Sequence, residues 1–252
     1  MLTKKIIPCL DTKNGKVVKG VNFEDVREIC DPLELAVIYN NEGADELTLY
    51  DITASIEGRT IFVDLLKRVA DAVSIPLIVG GGIASIADVD LMRECGADKF
   101  SINTGALKNP MLLEQAAKKY GSKSVVMAMD VKRVGGRFIV FTNGGMESTG
   151  IDAMEWAKKC EGLGAGEIVL NSIDTDGVKN GYDLEMLGAL LQAVRIPVVA
   201  SGGAGKMEDF LELFEKLPNV ESALAASVFH YREIKIPELK AYLRDGGVNV
   251  AL

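Results

Sequence analysis

Apolar and polar residues follow two rhythms along this chain. Short runs rich in Ile, Val and Leu recur at KKIIPCL (4–10), ELTLYD (46–51), PLIVG (76–80) and DKFSIN (98–103). They recur again at SVVMAMD (124–130), EIVLNS (167–172), PVVAS (197–201) and ESALAA (221–226). Bounded apolar runs of this length read as strands. The stretches between them keep a helical rhythm. In GRTIFVDLLKRVADAV (58–73) the apolar positions 62, 65, 66, 69 and 73 make one stripe, and DPLELAVIYNNEG (31–43) reads as another helix. Pro32, Pro110 and Pro237 stand where helices open, and Gly43, Gly96 and Gly164 where they close. Strand and helix therefore alternate eight times. That number of units in 252 residues matches the (β/α)8 TIM barrel in count and length. The expected architecture is α/β, one barrel domain over residues 1–252.

The pattern also repeats. EGADELTLYDI (42–52) is echoed by GLGAGEIVLNSI (162–173), VGGGI (79–83) by ASGGAG (200–205), and CLD ending at Asp11 by AMD ending at Asp130. Asn103–Thr104 correspond to Ala226–Ser227. Every offset is about 120 residues, half the chain. The reading is a barrel built from two similar half-barrels, with no linker between them.

The repeat changes the meaning of Asp11. A single Asp at the end of a strand reads as a turn residue. Strands 1 and 5 of such a barrel lie on opposite sides, and functional groups come from the C-terminal ends of strands. Asp11 and Asp130 would then face each other across the mouth, a candidate catalytic pair.

Glycine-rich loops follow strands 3 and 7, where a backbone without side chains can turn its N–H groups to a phosphate. Asn103–Thr104 and Ala226–Ser227 end the next strands. Two equivalent phosphate sites are expected. Gly82, Asn103 and Thr104 would hold one, and Gly177, Gly202, Gly203, Ala226 and Ser227 the other, with Asp176 adding polar contacts beside it. Lys19, in the long stretch 15–31 after strand 1, would help close the site. The ligand these features imply is elongated, with a phosphate at each end and its reactive atoms between the aspartates.

Composition narrows the function class. The chain is 48% apolar and 25% charged, with net charge −8, so no basic nucleic-acid footprint stands out. One histidine, His230, and four scattered cysteines argue against a zinc site or disulfides, and no metal or cofactor is expected. No stretch reads as a membrane span or a secretory signal, so the expected location is the cytoplasm. His230 reads as a loop or helix-start contact, Trp156 as packing between helices.

With these motifs in view, the chain resembles the cyclase subunit family of imidazole glycerol phosphate synthase, in histidine biosynthesis. KIIPCLDTKNGKVVKGVNF, YDITAS, VGGGI, GADKFSINTGAL, SGGAGK and LAASVFHYRE carry the resemblance, which runs from residue 5 to about residue 249. The resemblance implies a reaction between ammonia and a bis-phosphate formimino-aminoimidazole carboxamide ribonucleotide. Its products are imidazole glycerol phosphate and an aminoimidazole carboxamide ribonucleotide. It also implies that Asp11 and Asp130 act as acid and base, and that a glutaminase partner supplies the ammonia. Two departures remove positive charge near the mouth. The family's DRDG is Asp174-Thr175-Asp176-Gly177 here, and its basic GGRKxTG loop is Gly144-Gly145-Met146-Glu147-Ser148-Thr149-Gly150.

Lys5, Glu46, Lys99 and Glu167 fall near strand starts, where they would form a ring of two cations and two anions at the barrel bottom. By itself that ring also reads as a structural ionic plug. The resemblance implies an ammonia gate, with the glutaminase docked on that N-terminal face. Two alternatives remain at this point: the sister aldose–ketose isomerase of the same pathway, and a non-catalytic or engineered barrel of the family.

Overall fold

The computed structural model describes residues 2–21 and 24–251, and for residues 19–21 and 24–29 the backbone alone. In chain order the strands are β1 (Lys5–Lys13), β2 (Lys16–Val21), β3 (Glu24–Cys30), β4 (Leu47–Asp51), β5 (Leu77–Gly80) and β6 (Lys99–Ile102). They continue as β7 (Val125–Val134), β8 (Arg137–Thr142), β9 (Glu147–Asp152), β10 (Glu167–Ser172), β11 (Val198–Ser201) and β12 (Ser222–Ala225). Eight of them are parallel and close a barrel in the order β1, β4, β5, β6, β7, β10, β11, β12, with β12 pairing back to β1. Each predicted strand run falls on one barrel strand.

The main wall helices are α1 (Pro32–Asn41), α3 (Val63–Ala72), α4 (Ile86–Glu94), α6 (Met111–Tyr120), α7 (Ala153–Gly162), α8 (Leu184–Ala193), α9 (Met207–Lys216) and α11 (Ile236–Asp245). Short helices α2 (Ala54–Glu57), α5 (Thr104–Lys108) and α10 (Ser227–His230) sit in the loops. Among the described residues no helix is long and apolar enough to cross a membrane.

Parallel strands buried on both faces need apolar residues on both. Leu47 and Leu49 face outward, against helix residues such as Tyr39, Leu66 and Val69. Ile7, Ile78, Val126 and Val199 are fully buried inside the barrel. These four come from alternate barrel strands, so they make one interior layer.

Helix starts are fixed by side-chain caps. Asp31 accepts from Leu33 N at 2.9 Å, and Ser85 and Asp88 form a capping box at α4. The caps repeat with the half-barrels. Asp88 Oδ2 accepts from the N–H groups of Ala84 and Ser85 at 3.0 and 2.8 Å; Asp209 Oδ2 accepts from those of Gly205 and Lys206 at 2.7 and 3.0 Å. Pro32 and Pro237 lie in first helical turns, as expected, while Pro110 caps α6. Trp156 is buried in α7, and the Tyr39 hydroxyl meets His230 Nδ1 at 2.7 Å.

Four strands lie where the sequence reads as loop. β1 and β7 do not stop at Asp11 and Asp130; they run on out of the barrel wall to Lys13 and Val134. There β2 and β8 pair antiparallel with them, and β3 and β9 extend each hairpin. The stretch after strand 1 is therefore a ribbon. The aspartates mark where each strand leaves the wall. Lys19 lies on β2 with its backbone opposite Arg27, and its side chain lies outside the described residues.

Candidate active site

Alternation along β1 and β7 turns Asp11 and Asp130 inward. Both line a cavity of about 530 Å³ at the C-terminal end of the barrel. Gly82, Asn103, Thr104, Asp176, Gly177, Gly202, Gly203, Ala226 and Ser227 line it too, so every predicted ligand-binding residue except Lys19 is gathered there.

The two aspartates have different surroundings. Asp11 Oδ1 accepts from the Cys9 thiol at 3.4 Å. Asp130 accepts from two side-chain amides, Asn103 Nδ2 at 2.9 Å and Asn171 Nδ2 at 3.2 Å. Ser201 Oγ donates to Asn171 Oδ1 at 3.0 Å, which fixes which end of that amide meets Asp130. Burial is the largest influence on the Asp130 carboxyl and pushes its pKa up. The amides from Asn171 and Asn103 pull it down, and the negative charges of Asp176 and Asp11 push it up again, to about 6.

A raised carboxyl pKa has a stability consequence of definite sign. The folded protein holds this proton more tightly than the unfolded chain, so stability falls as pH rises from 4 toward 6. Asp130→Asn removes that loss. Relative to the variant, the unaltered protein should lose roughly 2–3 kcal/mol between pH 4 and pH 7. Urea unfolding of both proteins across that range is the measurement, and parallel curves would contradict the assignment.

The two glycine loops are built alike. Gly81 and Gly82 have φ of 126° and 69°, and Gly202 and Gly203 have φ of 87° and 113°. A Cβ on Gly82 would overlap the carbonyl oxygen of Arg59, and one on Gly203 that of Gly181. Each glycine is thus required by a backbone packed against it, as well as by its φ. Asn103 and Ala226 share an unusual conformation, φ −125° with ψ −98° and −76°, and each leads into a short helix beginning at Thr104 or Ser227. The β8 strand reaches over the first site, where Thr142 Oγ1 lies 2.9 Å from Thr104 Oγ1.

At the other end of the barrel the four predicted charges do meet, as a chain. Lys5 Nζ lies 3.0 Å from Glu46 Oε1; Lys99 Nζ lies 2.7 Å from both Glu46 Oε2 and Glu167 Oε2. Glu221, absent from the sequence reading, joins Lys5 at 3.2 Å. The expected ring of two cations and two anions is therefore a chain of five, with a third carboxylate. Burial works against the Lys99 ammonium, but Glu167 and Glu46 outweigh it and hold its pKa above the ordinary lysine value. Burial pushes the Glu167 carboxyl up despite Lys99, and its Oε1 is buried without a hydrogen-bond partner.

Sequence reasoning also missed Asn171, Tyr50, Ser101, Lys13, Arg59 and Lys108, which line the cavity. The repeat held a signal for two of them, since Tyr50 and Asn171 occupy equivalent positions in the echoed segments. Arg59 is committed to Asp51, Nη1 to Oδ2 at 2.6 Å. Of the two departures, Thr175 donates to Gly202 O at 3.1 Å and ties its loop to the second glycine pair, while Met146 stands exposed at the rim.

A family model described as histidine biosynthesis protein matches residues 5–235. The imidazole glycerol phosphate synthase subunit HisF of Oceanobacillus iheyensis is 53% identical, covering 99% of this chain and 98% of its own. The proteins of that name from Hydrogenobaculum sp. and Sulfurisphaera tokodaii are 51% and 53% identical. They cover 100% and 99% of this chain, and 100% and 99% of their own.

Proposed function

Because the chain belongs to the histidine biosynthesis protein family, with relatives named as one synthase subunit along its full length, we propose that it is the cyclase subunit of imidazole glycerol phosphate synthase. In this reading it joins ammonia to the bis-phosphate ribonucleotide, closes the imidazole ring and cleaves a C–N bond. The observation that carries the site assignment is the pair of inward aspartates in one cavity, flanked by two equivalent glycine-and-hydroxyl loops.

Roles follow from the surroundings. Closing a ring with ammonia and expelling an amine both require proton transfers. Asp130, its carboxyl pushed by burial to a pKa of about 6, keeps a protonated fraction near neutrality and serves as the acid. Asp11 serves as the base. Gly82, Asn103 and Thr104 take one phosphate; Gly177, Gly203 and Ser227 take the other, with Gly202, Ala226 and Asp176 shaping that end. Lys19 completes closure over the ligand. The direct test is product formation from the bis-phosphate substrate with ammonium salt as nitrogen source. Turnover of the isomerase substrate, without ammonia, would favour the sister enzyme instead.

The relatives' names make them subunits, and we extend that to a glutaminase partner docked on the N-terminal barrel face. The five-charge chain then stands between the partner and the aspartates as the gate for ammonia. Lys99→Leu strands Glu167 and leaves Glu46 with Lys5 alone, a loss of about 3–5 kcal/mol for a broken buried pair. In the folded protein, turnover with ammonium salt should survive better than turnover with glutamine plus the partner. A parallel fall of both, or no change in either, would make the chain structural only.

A further inference from the structure

The two glycine loops share an outline, but their peptides are held differently. The segment 172–181 lies along the second loop. A Cβ on Gly202 would meet Ser172 O, one on Gly203 would meet Gly181 O, and one on Gly205 would meet Lys179 O. Two hydrogen bonds cross this contact. Thr175 Oγ1 donates to Gly202 O at 3.1 Å, with Ser172 O more distant at 3.4 Å. Gly181 N donates to Gly203 O at 2.9 Å. Thr175 is itself held on both sides. Asp174 Oδ2 accepts from Arg133 N on β7 at 2.8 Å, and Asp176 N donates to Ser172 O at 3.0 Å.

The direction of these bonds matters. A trans peptide is planar, and its C=O and N–H point opposite ways. No peptide among the described residues is cis. Gly202, Gly203 and Ala204 line the cavity, whereas Thr175 and Gly181 stand outside its described lining. The carbonyls are therefore held from behind. Pinning Gly202 O turns the Gly203 N–H toward the cavity, and pinning Gly203 O does the same for the Ala204 N–H. The next two N–H groups, of Gly205 and Lys206, are taken by Asp209. A peptide between two glycines has wide rotational freedom, so its plane needs an outside restraint. In the first loop the residue matching Thr175 is Ala54, whose methyl cannot donate.

We propose that Thr175 is a positioning residue for the second phosphate site: its hydroxyl holds the Gly202–Gly203 peptide so that the Gly203 N–H faces the anion. The proposal rests on the reading that this loop takes a phosphate. Phosphate oxygens accept hydrogen bonds, so the orientation decides the sign of the contact. With the plane turned over, the carbonyl oxygen of Gly202 would face the anion and repel it.

Thr175→Val keeps the branched shape and removes the donor; Thr175→Ser keeps the donor. Crystals of each protein soaked in graded inorganic phosphate give occupancy at both loops, with the first loop as internal reference. In Thr175→Val, half-occupancy at Gly203 should need about 2–10-fold more phosphate, while that at Gly82 stays within twofold. With ammonium salt, KM for the bis-phosphate substrate should rise by a similar factor and kcat hold within about twofold. Thr175→Ser should restore both. Unchanged phosphate binding in Thr175→Val would overturn the assignment, even with a lowered thermal midpoint, which a merely structural role also gives. So would equal weakening at both loops, or a Thr175→Ser protein that behaves like Thr175→Val. The phosphate measurement needs no turnover. If it behaves as expected but the unaltered protein forms no product, the reaction assignment fails and the role of Thr175 stands. If phosphate occupies neither loop of the unaltered protein, the phosphate reading falls, and this proposal with it.

Discussion

Asp11→Asn and Asp130→Asn should fold, bind the bis-phosphate substrate and lose ammonium-driven turnover by roughly 10²–10⁴-fold each. The substitutions are nearly isosteric, so the cavity keeps its shape. At position 130 the amide oxygen can accept from only one of Asn103 and Asn171, its NH2 group faces the other donor, and the group is never charged and gives up no proton. The fold should if anything gain at neutral pH, because burial disfavours the native carboxylate. Loss of kcat with KM little changed is the signature of a group needed in the transition state alone. If either variant retains near-normal turnover, that aspartate carries no proton in the reaction. Residual activity in both, combined with additive losses in the double variant, would mean that the two act independently.

The second large effect is expected at Gly203. Any side chain there meets the Gly181 backbone, and its φ of 113° is one that L residues rarely adopt. Gly203→Ala must push the loop carrying Asp176 and Gly177 away from the second phosphate site. Losing one or two charge-assisted hydrogen bonds of about 1.5–3 kcal/mol each raises KM about 10–100-fold or more. Gly82→Ala should do the same through Arg59 at the other end. Gly135→Ala is the control, because a Cβ at that hairpin tip meets nothing. Its KM should match that of the unaltered protein. Equal KM values in all three variants would show that the glycine loops do not hold the phosphates.

The barrel strands were legible because each is buried on both faces and so appears as a short, largely apolar run. The helices were legible through their stripes and through caps such as Asp31 and Ser85. The hairpins were not. β2 and β3 are dense in Lys, Glu and Asp. β8, RFIVFT, follows the Gly135–Gly136 turn, and neither ribbon has the flanking helix that marks a barrel strand. At the site, the repeat exposed the aspartates and glycines because each has a twin half a chain away. Tyr50 and Asn171 are twins in position but not in chemistry, so the echo marked the position without naming a common role. Glu221 escaped for another reason: its pairing with Lys5 exists only once β12 closes onto β1, joining the two ends of the chain.

That closure has a consequence during synthesis. The first half of the chain emerges carrying β1, β4, β5 and β6, an open sheet whose outer strands β1 and β6 have no neighbour until β12 and β7 arrive. Unpaired strand edges recruit other chains. A nascent chain whose residues up to about 120 have cleared the ribosome therefore displays two adhesive borders at once, and it is most exposed then to chaperones or to its neighbours on a polysome.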